Sequence, residues 1–404
     1  MIPDSLARLE QWIRDGLIEE DHHTDFKREL SDGPKANKDL AKDIAALAID
    51  GGTIYVGVDE DKDANRIAVK PIPLEGLRER IDQVARMRPQ PPVPITTTEL
   101  TVQDDPSSGV LVINVGPTHD GPHMVDGKYW GRSDTTNYPL PDAEVVRLHQ
   151  RRRIDVDEGL ELVRLEMGRD PWWKPHQTEA HLYVVAQPAL VDSELLLRSV
   201  ADLRAWLQEA TLRGPLGASS GILHSPDIGQ ATTIIWSTRA HGVATHSYCV
   251  APDRSIRANG TTPAKERDLL DLEVREDGGI RLYCGRASDD GTDGSEILGT
   301  LIIGLVDRTL IAAREIAATA RYTGGWTVGV GLTKLEGRIL HVPGRWSDGS
   351  EPRFSEPEYL EATTASHDEL LEDRMAIATR VLGRFLRTMG AEPSMVANVM
   401  TSRP

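Results

Sequence analysis

The sequence predicts an α+β protein built as two domains. Stretches with apolar residues at helical spacing alternate along the chain with short stretches of period-two alternation. At 404 residues the chain is too long for one ordinary domain. Its character also changes at residues 154–178, where an acidic run leads into DPWWKPHQ. The expected division is a first α+β domain at 1–153, a linker at 154–178 and a second α+β domain at 179–404.

In chain order, Leu6, Leu9, Trp12, Ile13 and Leu17 make a short amphipathic helix. Thr24, Phe26 and Arg28 then alternate with Asp25, Lys27 and Glu29, which suits a strand near a sheet edge. SDGP at 31–34 stops it. Asn37 is placed to cap a helix over 38–49, with Leu40, Ile44 and Leu47 on one stripe. Gly51-Gly52 turns the chain into a strand at 53–58. There Ile54, Val56 and Val58 share one face, and Thr53, Tyr55, Gly57 and Asp59 the other.

A helix over 74–87 is ended by PQPPVP at 89–94. Strands follow at 95–103, 109–115 and 128–132, then a helix at 142–153. Beyond the linker, strands are expected at 181–185, 232–239 and 244–250, with a helix at 195–213. A hairpin is expected around Asp277-Gly278-Gly279. A long helix over 297–320 leads into the strand WTVGVGL. Ser366 and Glu369 form a capping box for a last helix reaching Met389. Residues 316–331 echo residues 44–59, which raises a duplicated lobe as one option.

A net charge of −17 argues against bulk electrostatic binding of DNA, so a nucleic-acid site needs a local basic patch or bridging metal ions. Cys249 and Cys284 are too few for a disulfide framework or a thiolate zinc site, which fits a reducing compartment. The N-terminus lacks the pattern of a signal peptide. The most apolar stretch, 297–320, carries Asp307, Arg308, Arg314 and Glu315 and reads as a buried helix, not a membrane span. The expected setting is cytoplasmic, with no membrane partner.

The chemistry concentrates between Glu20 and Asp59. Cleaving a phosphodiester with a hard divalent ion needs two or three converging carboxylates and a cation near the phosphate. Asp25 and Lys27 share a strand face, and Asp59 ends the next predicted strand. If those strands pair, the two carboxylates meet. Glu20 joins them only if the chain bends at 20–23. By spacing alone, the same acids also fit a solvated edge on a chain with 63 acidic residues.

These residues and their order resemble the Schlafen AlbA-like domain. The resemblance rests on Glu20-x4-Asp25-Phe26-Lys27, on Asp39 to Ala48, and on Gly51-Gly52-Thr53-Ile54-Tyr55-Val56-Gly57-Val58-Asp59. It continues through Val112 to Val115, Pro122, Gly127-Lys128-Tyr129 and Gly131-Arg132-Ser133, and covers residues 10–150. Asp25 replaces the family's usual Glu, and Leu47 and Asp50 replace a Phe and an Asn.

The resemblance implies two alternatives. One is a metal-dependent endoribonuclease acting on structured RNA such as tRNA. Glu20, Asp25 and Asp59 would then hold Mg²⁺ or Mn²⁺, and Lys27 would contact phosphate. A homodimer or higher homo-oligomer would supply the clamp, a toxin or phage-defence role the setting, and the C-terminal domain a sensor or assembly module. The other is a non-catalytic DNA- or RNA-binding regulator. A protein-interaction scaffold stands as a third reading from outside that family.

Candidate phosphate contacts are Lys38, Lys42, Arg132 and the run Arg151, Arg152 and Arg153. Each also fits the wet face or the C-terminal end of a helix or strand. Gly217 to Gly221 matches G-x-S-x-G but lacks the strand–turn–helix setting. His22 and His23 precede the strand and fit exposed loop histidines, with assistance to metal or proton transfer as the other reading, while His119 and His123 flank a turn and lack a clear third metal ligand. No Gly-x4-Gly-Lys-Ser/Thr is present, so nothing points to ATP.

Overall fold

The computed structural model describes residues 3–61, 66–118, 120–172, 174–189, 192–216, 228, 234–257, 264–291, 294–341, 350–392 and 394–401. It contains helices and strands in an α+β arrangement. Contacts divide the chain into two compact units. One is Met1–Arg153 with Arg321–Gly325, and the other is Ile154–Ala320 with Trp326–Pro404.

The first unit runs α1 (Leu6–Arg14), β1 (Thr24–Lys27), α2 (Pro34–Leu47), β2 (Gly52–Val56), β3 (Val58–Asp61), β4 (Arg66–Val69), β5 (Ile72–Pro73) and α3 (Leu77–Met87). Strands β6 (Ile95–Val102), β7 (Asp105–Val115), β8 (Met124–Val125), β9 (Lys128–Ser133) and β10 (Thr136–Pro139) follow, then α4 (Asp142–Gly168), whose residues from Ile154 onward belong to the second unit. Its main sheet has the order β1-β2-β7-β5, with β6 on the other side of β7. The edge position expected for β1 is found, and β1 pairs with β2 in parallel.

Alternation divides the apolar residues between the two sheet faces. Ile54, Val56, Leu111 and Ile113 pack with Leu40, Ile44 and Leu47 of α2 and with Ile81 and Val84 of α3. Tyr55, Val110 and Val112 pack with Leu9 of α1 and with Val58. Helix α2 starts earlier than the sequence suggested. Gly33 is its N-cap and Pro34 its first residue, because proline's fixed φ and missing N–H suit that position.

The expected strand 53–58 is broken. Gly57 takes φ +103, and its N–H donates to Lys27 O at 2.7 Å. A Cβ there would stand 3.1 Å from Gly109 O and 3.2 Å from Lys70 O. The kink flips the alternation, so Val58 joins Tyr55 rather than Ile54 and Val56. Asp59 therefore lies on β3, in a separate ribbon with β4, opposite Ala68.

Residues 154–168, expected as linker, are the second half of α4. The reason is a buried i, i+4 pair. Val163 and Met167 pack on Tyr183, Val185 and Tyr283 of the second unit.

That unit continues with β11 (Leu182–Pro188), α5 (Leu203–Leu212), β12 (Ile234–Arg239), β13 (Gly242–Ser247), β14 (Leu270–Arg275), β15 (Ile280–Cys284), β16 (Ser288–Gly291), β17 (Gly294–Ile297) and α6 (Gly299–Ala320). It ends with β18 (Trp326–Thr333), β19 (Ile339–Leu340), β20 (Glu358–Ala365), α7 (His367–Glu372), α8 (Arg374–Thr388) and α9 (Met395–Thr401). A seven-stranded sheet has the order β12-β13-β14-β15-β11-β18-β20, antiparallel throughout.

The expected hairpin joins β14 and β15. The capping box at Ser366 opens α7, while Asp373 caps a separate α8. The echo between 44–59 and 316–331 does not extend to strand pairing. β2 is parallel to β1, whereas β18 is antiparallel to both neighbours. Among the described residues no helix is long and apolar enough to cross a membrane.

Candidate functional site

Strand β1 turns Phe26 toward Tyr55, with ring centroids 5.8 Å apart. Alternation sends Asp25 and Lys27 to the opposite face, toward α2. Lys27 Nζ there bridges Asp25 Oδ2 at 2.8 Å and Asp43 Oδ2 at 2.7 Å. Arg132 arrives from β9. Its Nη2 donates to Asp25 Oδ1 at 3.0 Å and to Thr24 O at 3.1 Å, and its Nε donates to Asp21 O at 3.2 Å. The same Nη2 lies 3.8 Å from Glu20 Oε1. Asn137 Nδ2 donates to Asp43 Oδ1.

The cluster therefore joins three carboxylates to two cations. It is largely withdrawn from water: the Arg132 side chain is 3% exposed and that of Asp25 7%. Burial works to lower the Lys27 pKa, but Asp43 and Asp25 outweigh it and hold the ammonium above its usual range. Burial pushes the Asp43 carboxyl above its usual range, and Lys27 offsets only part of that.

Glu20, Asp25, Lys27 and Arg132 are thus brought together, and Asp59 is not. Its carboxylate faces Arg28 Nη1 at 3.6 Å. Each oxygen of Asp25 already faces a cation. Among the described residues no three His, Cys, Asp or Glu side chains group as metal ligands. As placed, Glu20 and Asp25 meet at Arg132, while Asp59 faces Arg28. Neither Lys27 nor Arg132 is placed as a free phosphate contact, since each serves buried carboxylates.

The other cations lie elsewhere in the unit. Lys38 Nζ pairs with Asp126 Oδ2 at 2.6 Å. Lys42 Nζ lies 2.9 Å from Asp39 Oδ1 and 4.8 Å from the centre of the Trp130 ring. The side chains of Arg151, Arg152 and Arg153 lie outside the described residues, as do His119, Trp173 and Gly217 to Gly221. His23 Nδ1 contacts Gly51 O at 2.7 Å. His123 is buried, with its ring nitrogens on Pro91 O and Thr118 Oγ1.

The sequence reading missed Asp43. A signal for it existed: an acid standing in the apolar stripe of α2, beside Leu40 and Leu47, implies a buried partner.

Comparison with known proteins adds a family. Residues 20–141 match the family model described as Schlafen, AlbA_2. No curated protein matches the chain. Among solved structures, the crystal structure of the DIP2311 protein from Corynebacterium diphtheriae is similar over 78% of this chain and 86% of its own, at 14% identity and a TM-score of 0.25.

Proposed function

We infer that this protein binds nucleic acid and that its buried acids are structural, because the Schlafen, AlbA_2 match over residues 20–141 suggests a nucleic-acid-related function. The observation that carries the structural part is Asp25, whose two oxygens are taken by Lys27 and Arg132. Binding would then rest on local surface cations, weaken with salt and persist in chelator.

A second reading has one observation in its favour. Glu20 and Asp25 both meet Arg132, a pair of carboxylates about a single cation. It is the metal-dependent endoribonuclease acting on tRNA, with a homodimer as clamp and phage defence as setting. The role of the second unit as sensor or assembly module belongs to that reading.

The test incubates purified protein with labelled tRNA, single-stranded RNA and duplex DNA in Mg²⁺, Mn²⁺ or EDTA. Asp25→Asn, Asp25→Ala and Asp59→Ala run in parallel. Binding that survives EDTA, without cutting, is the expected result. Discrete metal-dependent cuts, lost in the Asp25 variants, would replace the binding reading with the nuclease.

A further inference from the structure

We propose that a groove of the first unit takes one nucleotide of a single-stranded nucleic acid, its base against Met87 and Met124 and its phosphate among Lys38, Lys42 and Arg88. The proposal rests on the nucleic-acid reading above and names the place where the strand sits.

The groove has a volume of about 550 Å³, room for a nucleotide. One wall is apolar: Val84 and Met87 from α3, and Met124 from β8. Met87 is 70% exposed, an uncovered thioether of the kind that packs well on aromatic rings. Three amides line the remainder: Asn37, Gln83 and Gln90. Arg80 Nε donates to Asn37 Oδ1 at 2.8 Å, which leaves the amide NH₂ for a ligand. Among the described residues, Gln83 Nε2 reaches only the Met87 sulfur, a weak acceptor, at 3.6 Å. Carboxamides of this kind match the donor–acceptor edges of bases.

The mouth holds the charge. Asp126 and Gly127 form the turn between β8 and β9, with φ +51 and +76. That turn sets the Asp126 carboxylate against Lys38. The hydrogen bond from Lys38 holds its carboxyl below the usual range, and the charges of Lys38, Arg88 and Lys42 add to this. Among the described residues, Arg88 makes no ion pair. One exposed carboxylate thus pairs with Lys38 beside the groove that Arg88 lines, with Lys42 one turn along α2 from Lys38, where a phosphate would sit. Asp126 is a built-in competitor that an incoming phosphate displaces.

This has an unusual sign. Asp126→Asn removes the competitor and keeps the fold, because asparagine tolerates a positive φ. It is expected to tighten binding of a fluorescent 12-mer by about threefold or more. Glu75→Gln makes the same charge change just before α3, whose far end lines the groove, and is expected to do much less. Arg88→Glu is expected to weaken binding about tenfold and to reduce the salt slope by about 0.7. RNA and DNA 12-mers of equal sequence show which sugar is preferred.

In the wild-type protein, a 4-thiouridine strand should photo-crosslink to peptides containing 83–90 or 124–128. Crosslinks confined to other peptides, or unchanged binding in Arg88→Glu and Asp126→Asn, would overturn the groove and leave nucleic-acid binding standing. Absence of any binding by the wild type would overturn the reading beneath it.

Discussion

Lys27 is the residue on which the first unit's charge network depends. It neutralises Asp25 and Asp43 together, on a strand face that packs against a helix. Replacing it by methionine keeps the length and leaves two buried carboxylates without that partner. We expect Lys27→Met to cost about 3–5 kcal/mol in denaturant unfolding. A cost under about 1 kcal/mol would mean that water already screens the pair.

His181 in the second unit likewise stands between two carboxylates. It is fully buried, with Nδ1 2.8 Å from Asp170 Oδ2 and Nε2 3.3 Å from Glu266 Oε2. The hydroxyl of Tyr183 also donates to Asp170, and that of Tyr283 lies 3.3 Å from His181 Nδ1. A carboxylate at each ring nitrogen favours the doubly protonated ring. Burial works to lower its pKa, but the carboxylates outweigh this and raise it above the ordinary 6.5. A raised histidine pKa stabilises fully below 6.5 and loses its contribution as pH climbs through the folded value. Thermal melts should therefore show Tm falling as pH rises above about 6.5. The dependence should flatten in His181→Gln. An equal slope in that variant would assign the effect to other groups.

Among the elements, the break between β2 and β3 has the largest consequence for the site. A continuous strand would carry Asp59 along the polar face beside β1. The left-handed turn at Gly57 instead starts a new ribbon, and Asp59 pairs with Arg28. Gly57→Ala would force a Cβ to within 3.1 Å of Gly109 O at a φ of +103. The strain predicts a loss of about 1–3 kcal/mol in thermal or chemical unfolding. A neutral result would show that the kink is not required for the fold.

Helix α4 carries the other lesson at this scale. Its apolar positions 163 and 167 are silent in isolation, because a short acidic stretch with two core residues also reads as linker. They become helical through packing on Tyr183 and Tyr283.

For the whole molecule, a net charge of −17 sets the terms on which a polyanion can approach. Few cations should contact phosphate. With the three of the proposed groove, raising salt from about 50 to about 200 mM should weaken strand binding by about 20-fold. Anisotropy titrations at the two salts measure this. A loss of about 1,000-fold or more would require many more phosphate contacts than the groove offers.

The amino-acid sequence by itself determined the α+β class, the edge strand at Thr24–Lys27, the hairpin at Asp277–Gly279 and the Ser366 capping box. It also carried the Schlafen AlbA-like resemblance. Each of these depends on residues a few positions apart, through alternation, capping or turn chemistry, or on a pattern of such segments in fixed order. Only the tertiary structure decided which charges meet. Asp25 bonds to Arg132, 107 residues away, and Asp43 reaches Lys27 because α2 crosses the face of β1. One kinked residue, Gly57, moved Asp59 out of the set the sequence had grouped. A local pattern does not encode which face a distant strand presents, and burial then forces every charge it encloses to find a partner.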